Sequence, residues 1–320
     1  MLHNYLEEAL SYYNLAASNV MLIRHNENLT YRIGSEYLLQ IHEHVEGFNT
    51  EYIYEDFNRI EIRKTEISFQ NHLKNGGMII RETVENYQGE LIKKLSNGTF
   101  VTVSKWIEGD SLDHFELNDD LCFKIGDLIA NLHKNAIGFK ESSVVSYDKK
   151  HCEYIKKRIK ALEKKGLNTL YANIMNEACD LVGRTLQNVQ TEFIMLHGDL
   201  SLSNILNTPK GLVAIDYSFL GIEHPMLDLA ILFGNIGGLL RRKKIVEGYQ
   251  NAGGIINYIV LDACFILSLL DGIAIHFEKW SRQDWFNLRM KRWYNETLEP
   301  FMRGERLFSD DFILLNLPNY

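Results

Sequence analysis

A chain of 320 residues with 46% hydrophobic and 11% aromatic side chains can bury a substantial core, which excludes wholesale disorder and leaves room for about two domains. Lys and Arg number 34 against 42 Asp and Glu, giving a formal net charge of −8 spread along the chain; this speaks against nucleic acid or an anionic membrane as partner and for a cationic one. Four cysteines (Cys122, Cys152, Cys179, Cys264) lie far apart without a CxxC, so neither a thiolate metal site nor a disulfide framework is expected, and reduced thiols in a cytoplasmic protein are the plainer reading.

The N-terminal MLHNYLEEALSYY lacks the positive start and apolar core of a signal peptide. In chain order, VMLIRH (20–25), LTYRIG (29–34) and EYLLQIH (36–42) are short apolar-rich segments broken by HNEN and Gly34-Ser35, which predicts an antiparallel meander. A helix follows in DFNRIEIRKTEISFQNHLKNGG, where Ile62, Phe69 and Leu73 share a face and Asn75-Gly76-Gly77 stops it. GELIKKL and, after the turn Asn97-Gly98, TFVTVSKWI are two further expected strands. From about residue 111 the periodicity becomes helical: Leu121, Ile125, Leu128, Ile129 and Leu132 recur at helical spacing, as do Ile174, Ala178, Leu181, Val182, Thr185 and Val189. The most apolar stretch, 258–275, carries Asp262 and Asp271 and reads as a buried helix rather than a membrane span. The expected fold is therefore α+β, with a small β-rich lobe over 1–108 and a larger, mainly helical lobe over 109–320, joined near WIEGDSL. Crevices between such lobes are common ligand sites.

HGDLSLSNIL (197–206) interrupts this pattern with a polar cluster between two apolar runs. Thr208-Pro209-Lys210-Gly211 is strong turn chemistry, so 205–216 reads as a β-hairpin with Asp199 and Asn204 at its entrance and Asp216 at its exit. Three converging oxygen-bearing side chains suit Mg²⁺, which takes few protein oxygens and fills its shell with water and phosphate. Asp199 and Asn204 stand as D-x-x-x-x-N, the spacing of a kinase catalytic loop, and Asp216 follows twelve residues after Asn204. In that chemistry the first Asp accepts or orients the proton of the attacking hydroxyl, and the Asn and second Asp hold the metal. Taken singly, Asp199 is equally a turn residue and Asn204 a cap; the spacing and the hairpin carry the reading.

HGDLSLSNIL, followed by GLVAIDYS and GIEHPMLDLA, resembles the aminoglycoside phosphotransferase family, to whose kinase-like superfamily choline kinases and one class of homoserine kinase also belong. The pattern HGDxxxxN…IDxxxxxxGxxxxDLA is carried by His197, Gly198, Asp199, Asn204, Ile215, Asp216 and Asp228-Leu229-Ala230; GDLIANLHK, KWIEGDSL and NENLTYRIGSEYLLQIH resemble further family segments, so the likeness covers about residues 20–235. It implies a two-lobed protein-kinase-like fold and a Mg²⁺-dependent transfer of the γ-phosphate of ATP or GTP to the hydroxyl of a small molecule. It also implies that His197 and Asp228 support the catalytic loop. Asp228, just after Pro225, is by position alone a first-turn aspartate favoured by the helix dipole. His133, at the end of an amphipathic helix, reads as a packing or capping residue.

On the nucleotide side the resemblance places Gln40, Glu66 and the hinge residues Ser104, Trp106 and Ile107 around the donor; Asn26 and Asn28 of the first turn are candidate amide donors to phosphate, with ordinary turn roles as the competing reading. Kinase-like folds carry a Lys or Arg on the third strand, paired with a Glu of the following helix. Glu66 lies on the apolar face of its helix and needs a partner there. The matching strand position, however, is Gln40, which brings no charge, and HNEN contains no glycine. In the helical lobe Glu223, Asp271 and Glu278, with Asp262, Asp284, Trp280 and Trp293, are candidates to line the pocket of a cationic acceptor; a solvated helix face is the competing reading for each. Two other functions stay open: a non-catalytic binding protein, because of Gln40, and a protein Ser/Thr kinase, against which the short run from Asp216 to the next helix speaks.

Overall fold

The computed structural model describes residues 2–25, 28–43, 46, 50, 53–141, 144–189 and 193–309. It opens on a helix, α1 (Leu2–Tyr12), which the strand-rich reading of the first hundred residues did not include. Leu6, Ala9 and Leu10 recur at i, i+3 and i+4 and bury this helix on the sheet that follows. That sheet is antiparallel: β1 (Val20–His25), β2 (Leu29–Ile33), β3 (Tyr37–Ile41), then, after α2 (Arg59–Asn75), β4 (Thr83–Val84), β5 (Lys93–Lys94) and β6 (Phe100–Lys105). The strand order is β1-β2-β3-β6-β4, with β5 also against β6. Strand alternation sorts its two faces. Leu39, Ile41, Val101 and Val103 pack with α1 in one small core, and Gln40, Thr102 and Ser104 turn to the other side. β5 is much shorter than the expected GELIKKL strand, because Asn86 Oδ1 accepts from the N–H groups of Gln88 and Glu90 and folds the segment into a turn.

Asn58 caps α2 by accepting from Ile60 N–H, and its buried Ile62, Phe69 and Leu73 are the expected face. Phe69 and Leu73 belong to the core of the helical lobe, so α2 ties the two lobes together. Beyond β7 (Asp110–Ser111) come α3 (Asp119–Ala136), β8 (Val145–Ser146), α4 (Lys149–Glu163) and α5 (Thr169–Gln187), the helices capped by Asn118, Asp148 and Asn168. Then follow β9 (Ile194–Leu196), β10 (Ile205–Thr208), β11 (Gly211–Ala214) and β12 (Gly221–Glu223). The chain ends in α6 (Met226–Asn235), α7 (Leu239–Asn251), α8 (Tyr258–Trp280), α9 (Phe286–Trp293) and α10 (Glu299–Met302). β10 and β11 form the expected hairpin in the register Ile205↔Ala214 to Thr208↔Gly211, and Thr208 Oγ1 closes its turn on Gly211 O at 2.7 Å. Helix α8 is long and apolar enough to cross a membrane, but here it is a core helix: Val260 to Leu267 are all buried. Helices α3 and α7 cross at contact distance, since a Cβ on Gly126 would lie 2.0 Å from Ile245 O and one on Gly248 2.0 Å from Phe123 O.

Candidate active site

Strand β9 delivers His197-Gly198-Asp199 to the cleft between the sheet and the helices, and the β10–β11 hairpin delivers Asn204 and Asp216. Gly198 adopts φ 77°, where a Cβ would lie 1.9 Å from Phe219 O, so glycine is required on both counts. The loop is anchored from below by Asp228 of α6, which is fully buried. Its carboxylate accepts from His197 N–H at 3.1 Å, from Gly198 N–H at 2.9 Å and from His133 Nε2 at 3.1 Å. The other ring nitrogen of His133 meets Tyr249 OH at 3.0 Å, which links α3 and α7 to the same carboxylate. Burial alone would raise the pKa of Asp228, but His133, His197 and Gly198 outweigh it and hold it below the usual value. His197 is itself buried; Nε2 donates to Ile215 O at 2.9 Å, Nδ1 accepts from Asp199 N–H, and its ring packs on Tyr217. Neither histidine reaches the cleft, so both position the loop rather than react.

Asp199 is held by Asn204, whose Nδ2 donates to the Asp199 carbonyl and to Oδ2, both at 2.8 Å. Burial, and then the negative charge of Asp216, raise the Asp199 pKa to about 7, with Asn204 opposing. A carboxylate so poised exchanges protons near neutrality. Asp216 has φ 67°, left-handed backbone that Asp tolerates better than most residues. Its Oδ1 accepts from Ser218 Oγ at 2.6 Å, and its Oδ2 pairs with Arg24 of β1. Burial would raise its pKa too, but Arg24, Ser218, Arg63 and Arg81 more than offset it and hold Asp216 below the usual carboxylate range.

Among the described residues no cluster of three or more His, Cys, Asp and Glu could hold a metal ion alone. A Mg²⁺ site made of Asp216, Asn204, water and phosphate needs no such cluster. One observation favours it. Asn204 Oδ1 is buried without a hydrogen-bond partner among the described residues, an oxygen left over after the amide nitrogen has held Asp199.

On the sheet side, Asn28 is buried and bonded through Nδ2 to Ser218 Oγ at 3.4 Å and through Oδ1 to His42 Nδ1 at 2.8 Å. Asn26 lies outside the described residues. Glu66 faces the sheet and is paired, as its position demands, but to Arg63 one turn earlier at 2.5 Å and to Gln70 at 3.3 Å. Gln40 shares a small cavity with Glu66, Arg63, Arg81 and Ser104 and does not itself form the ion pair. In the linker, the N–H groups of Lys105 and Trp106 donate to the Glu82 and Glu36 carbonyls. The Trp106 indole stacks under Arg32 and donates to Glu108, and Ser104 lies along the same small cavity as Gln40 and Glu66. Ile107 instead packs with Leu206, Val213 and Ile215 into a separate apolar patch between linker and hairpin.

The model of the phosphotransferase enzyme family matches residues 22–263. The chain belongs to that family. This phosphotransferase has no match among curated proteins by sequence. By structure it is similar to an amicoumacin kinase in complex with AMP-PNP, Ca²⁺ and Ami (15% identity, TM-score 0.71, 93% of each chain). It is also similar to a microcompartment-associated aminopropanol kinase (17%, 0.71, 94% of this chain and 98% of that one). A third is a spectinomycin phosphotransferase in complex with ADP and spectinomycin (13%, 0.60, 98% and 96%). The α+β, two-lobed kinase-like fold and the small-molecule kinase class expected from the sequence are those of this phosphotransferase.

From Asp199 the cleft, about 370 Å³, runs on into the helical lobe to Asn235, Ser268, Asp271, His276 and Trp280. Asp271 is backed by the buried His151, whose Nε2 lies 2.8 Å from Oδ2, and His276 stacks on Trp280 at 4.6 Å. The other acidic acceptor candidates lie elsewhere. Glu223 is buried against its own chain, accepting from His224 N–H at 2.8 Å. Glu278 clamps α4 to α8 through Arg158 at 2.8 Å and Lys165 at 2.7 Å. Asp262 holds the C-terminal segment through Arg306 and Phe308 N–H, Asp284 is exposed, and Trp293 is buried behind Trp280. Arg24, Arg63, Arg81, Ser218 and the His133–Asp228 bond were not singled out from the sequence. Arg63, at i,i+3 to Glu66, carried a local signal; Arg24 and Arg81 carried none.

Proposed function

We propose that this phosphotransferase moves the γ-phosphoryl group of a Mg²⁺-bound nucleoside triphosphate to a hydroxyl of a small, cationic acceptor. The convergence of Asp199, Asn204 and Asp216 on one cleft, with Asn204 Oδ1 unspent, carries the reading. Ile107, packed with Leu206, Val213 and Ile215 between linker and hairpin, supplies the apolar contact against which a purine of ATP or GTP would rest. Asp271, His276 and Trp280 lie at the far end of the same cleft, where an amine of the acceptor would meet a carboxylate and an aromatic face.

The acceptor oxygen attacks the γ-phosphorus, the bond from that phosphorus to the β,γ-bridging oxygen breaks, and the nucleoside diphosphate departs with the electron pair. Asp199 orients the hydroxyl and receives its proton, and the Asn204 amide fixes the carboxylate for that exchange. Asp216 and Asn204 would hold Mg²⁺, which when bound neutralises charge on the phosphate oxygens. A thermal-shift screen of Mg²⁺-ATP and Mg²⁺-GTP against amino alcohols, aminoglycosides, macrolides and sugars would find donor and acceptor, since ligand at 100 times its dissociation constant adds about 2.7 kcal/mol. Asp199→Asn should then cut turnover by at least about 10²-fold while nucleotide binding persists. Turnover of the variant at the wild-type rate would sink the assignment.

A further inference from the structure

The third strand carries Gln40 where this fold places a phosphate-binding cation, yet three guanidinium groups crowd the same region from other elements. Two are committed: Arg24 pairs with Asp216, and Arg63 pairs with Glu66 and lies 3.3 Å from Ser218 Oγ. Arg81, just ahead of β4, shares the small cavity of Gln40, Glu66, Thr102 and Ser104 and has neither a hydrogen bond nor an ion pair among the described residues. Its Nε is buried without a partner, which is costly for a guanidinium unless a ligand supplies the acceptor. Resting on the phosphotransferase reading, we propose that Arg81 supplies the phosphate-binding cation in place of a third-strand Lys, taking oxygens of the nucleotide's phosphate chain.

The displacement is sterically coherent. A lysine on β3 would approach Glu66 across the cavity, but Arg63 already satisfies Glu66 from the preceding turn of α2. Gln40 then needs only to fill space and offer an amide, and the charge comes from residue 81, just ahead of β4 and one strand removed from β3 across β6. Burial, with help from the nearby Arg24, lowers the Arg81 pKa to about 10 while Asp216 draws it up, so both groups of the Arg24–Asp216 pair lie within electrostatic reach. A bound polyphosphate would lie among these charges and relieve the repulsion between Arg81 and Arg24. A planar guanidinium also suits two phosphate oxygens at once.

Isothermal titration of the full chain with Mg²⁺-ATP and Mg²⁺-GTP, the corresponding mono- and diphosphates, and the parent nucleosides tests this. Arg81→Met should weaken triphosphate binding by about ten- to a hundred-fold, the range for one charge-assisted contact. Nucleoside binding should stay within about twofold, with the deficit growing along the phosphate series, a gradient that a purely structural arginine would not produce. Arg81→Gln, which is shorter but keeps amide donors without the charge, serves the same comparison if the Met variant melts. Equal triphosphate affinity in wild type and a folded variant would overturn the role of Arg81 and leave the phosphotransferase reading intact. Failure of the wild type to bind any triphosphate would overturn both.

Discussion

Replacing Asp228 by Asn keeps the shape of the brace beneath the catalytic loop and removes its charge. In the native structure the carboxylate takes two backbone N–H groups, at 3.1 and 2.9 Å, and the His133 ring N–H at 3.1 Å, all buried. An amide presents one oxygen where two stood, so its NH₂ group faces a donor and at least one buried N–H loses its acceptor. Hydrogen bonds to a charged partner contribute about 1.5–3 kcal/mol each, and an orphaned buried donor costs about 1–3 kcal/mol. The carboxylate's own burial offsets part of this, because desolvation opposes its ionisation. The expected net loss is about 3–5 kcal/mol at pH 7, read from urea-unfolding midpoints with an unchanged slope. A double-mutant cycle with His133→Gln should return a coupling of about 1–3 kcal/mol. An Asp228→Asn variant within 1 kcal/mol of wild type would refute the view that this carboxylate holds the loop.

Three further outcomes follow from the geometry. Gly→Ala inside a helix ordinarily stabilises by about 1 kcal/mol, but Gly126→Ala should destabilise by about 1–3 kcal/mol, because its Cβ would meet Ile245 O at 2.0 Å; chemical denaturation gives the sign directly. Burial raises the pKa of Glu223 to about 7, so its ionisation destabilises the fold, a cost that is absent below about pH 4 and fully present above about pH 7. Glu223→Gln should therefore raise the melting temperature at pH 8, by of the order of 1–3 kcal/mol in stability, and leave it nearly unchanged at pH 4.5; an equal shift at both values would contradict the linkage. Glu278→Gln should cost about 1–3 kcal/mol by leaving the buried Arg158 without its anion, yet leave the stabilisation by Mg²⁺-nucleotide unaltered in thermal melts.

Much of the candidate site was legible because it is local in sequence. Asp199, Asn204 and Asp216 lie within eighteen residues around a turn whose chemistry names itself; closing the hairpin brings Asn204 beside Asp216, and the Asn204 amide holds Asp199. The helices of the larger lobe were legible for the same reason, since a 3.6-residue period is written in every turn. Helix α1 carries that period only in Leu6, Ala9 and Leu10, a run too short to stand out until the sheet it covers is in place. Gly126 stood in the recognised segment without a reason until α7 came against α3 at contact distance. The acidic candidates of α8 show the opposite limit. Asp262, Asp271 and Glu278 lie on one helix, yet only Asp271 lines the cleft, a choice made by which residues of the C-terminal segment, α4 and the cavity each turn of α8 faces.

The sequence by itself determined the class of fold and the hairpin that gathers Asp199, Asn204 and Asp216, because hydrophobic period, turn chemistry and short spacing act between near neighbours. Tertiary structure alone decided the charge balance around that hairpin. Arg24, Arg63 and Arg81 come from a strand, a helix and a loop edge that no spacing rule connects, and Asp216 lies more than 130 residues beyond the last of them. Coulomb interactions depend on distance through space and on burial, and both exist only once the sheet has closed over the helices.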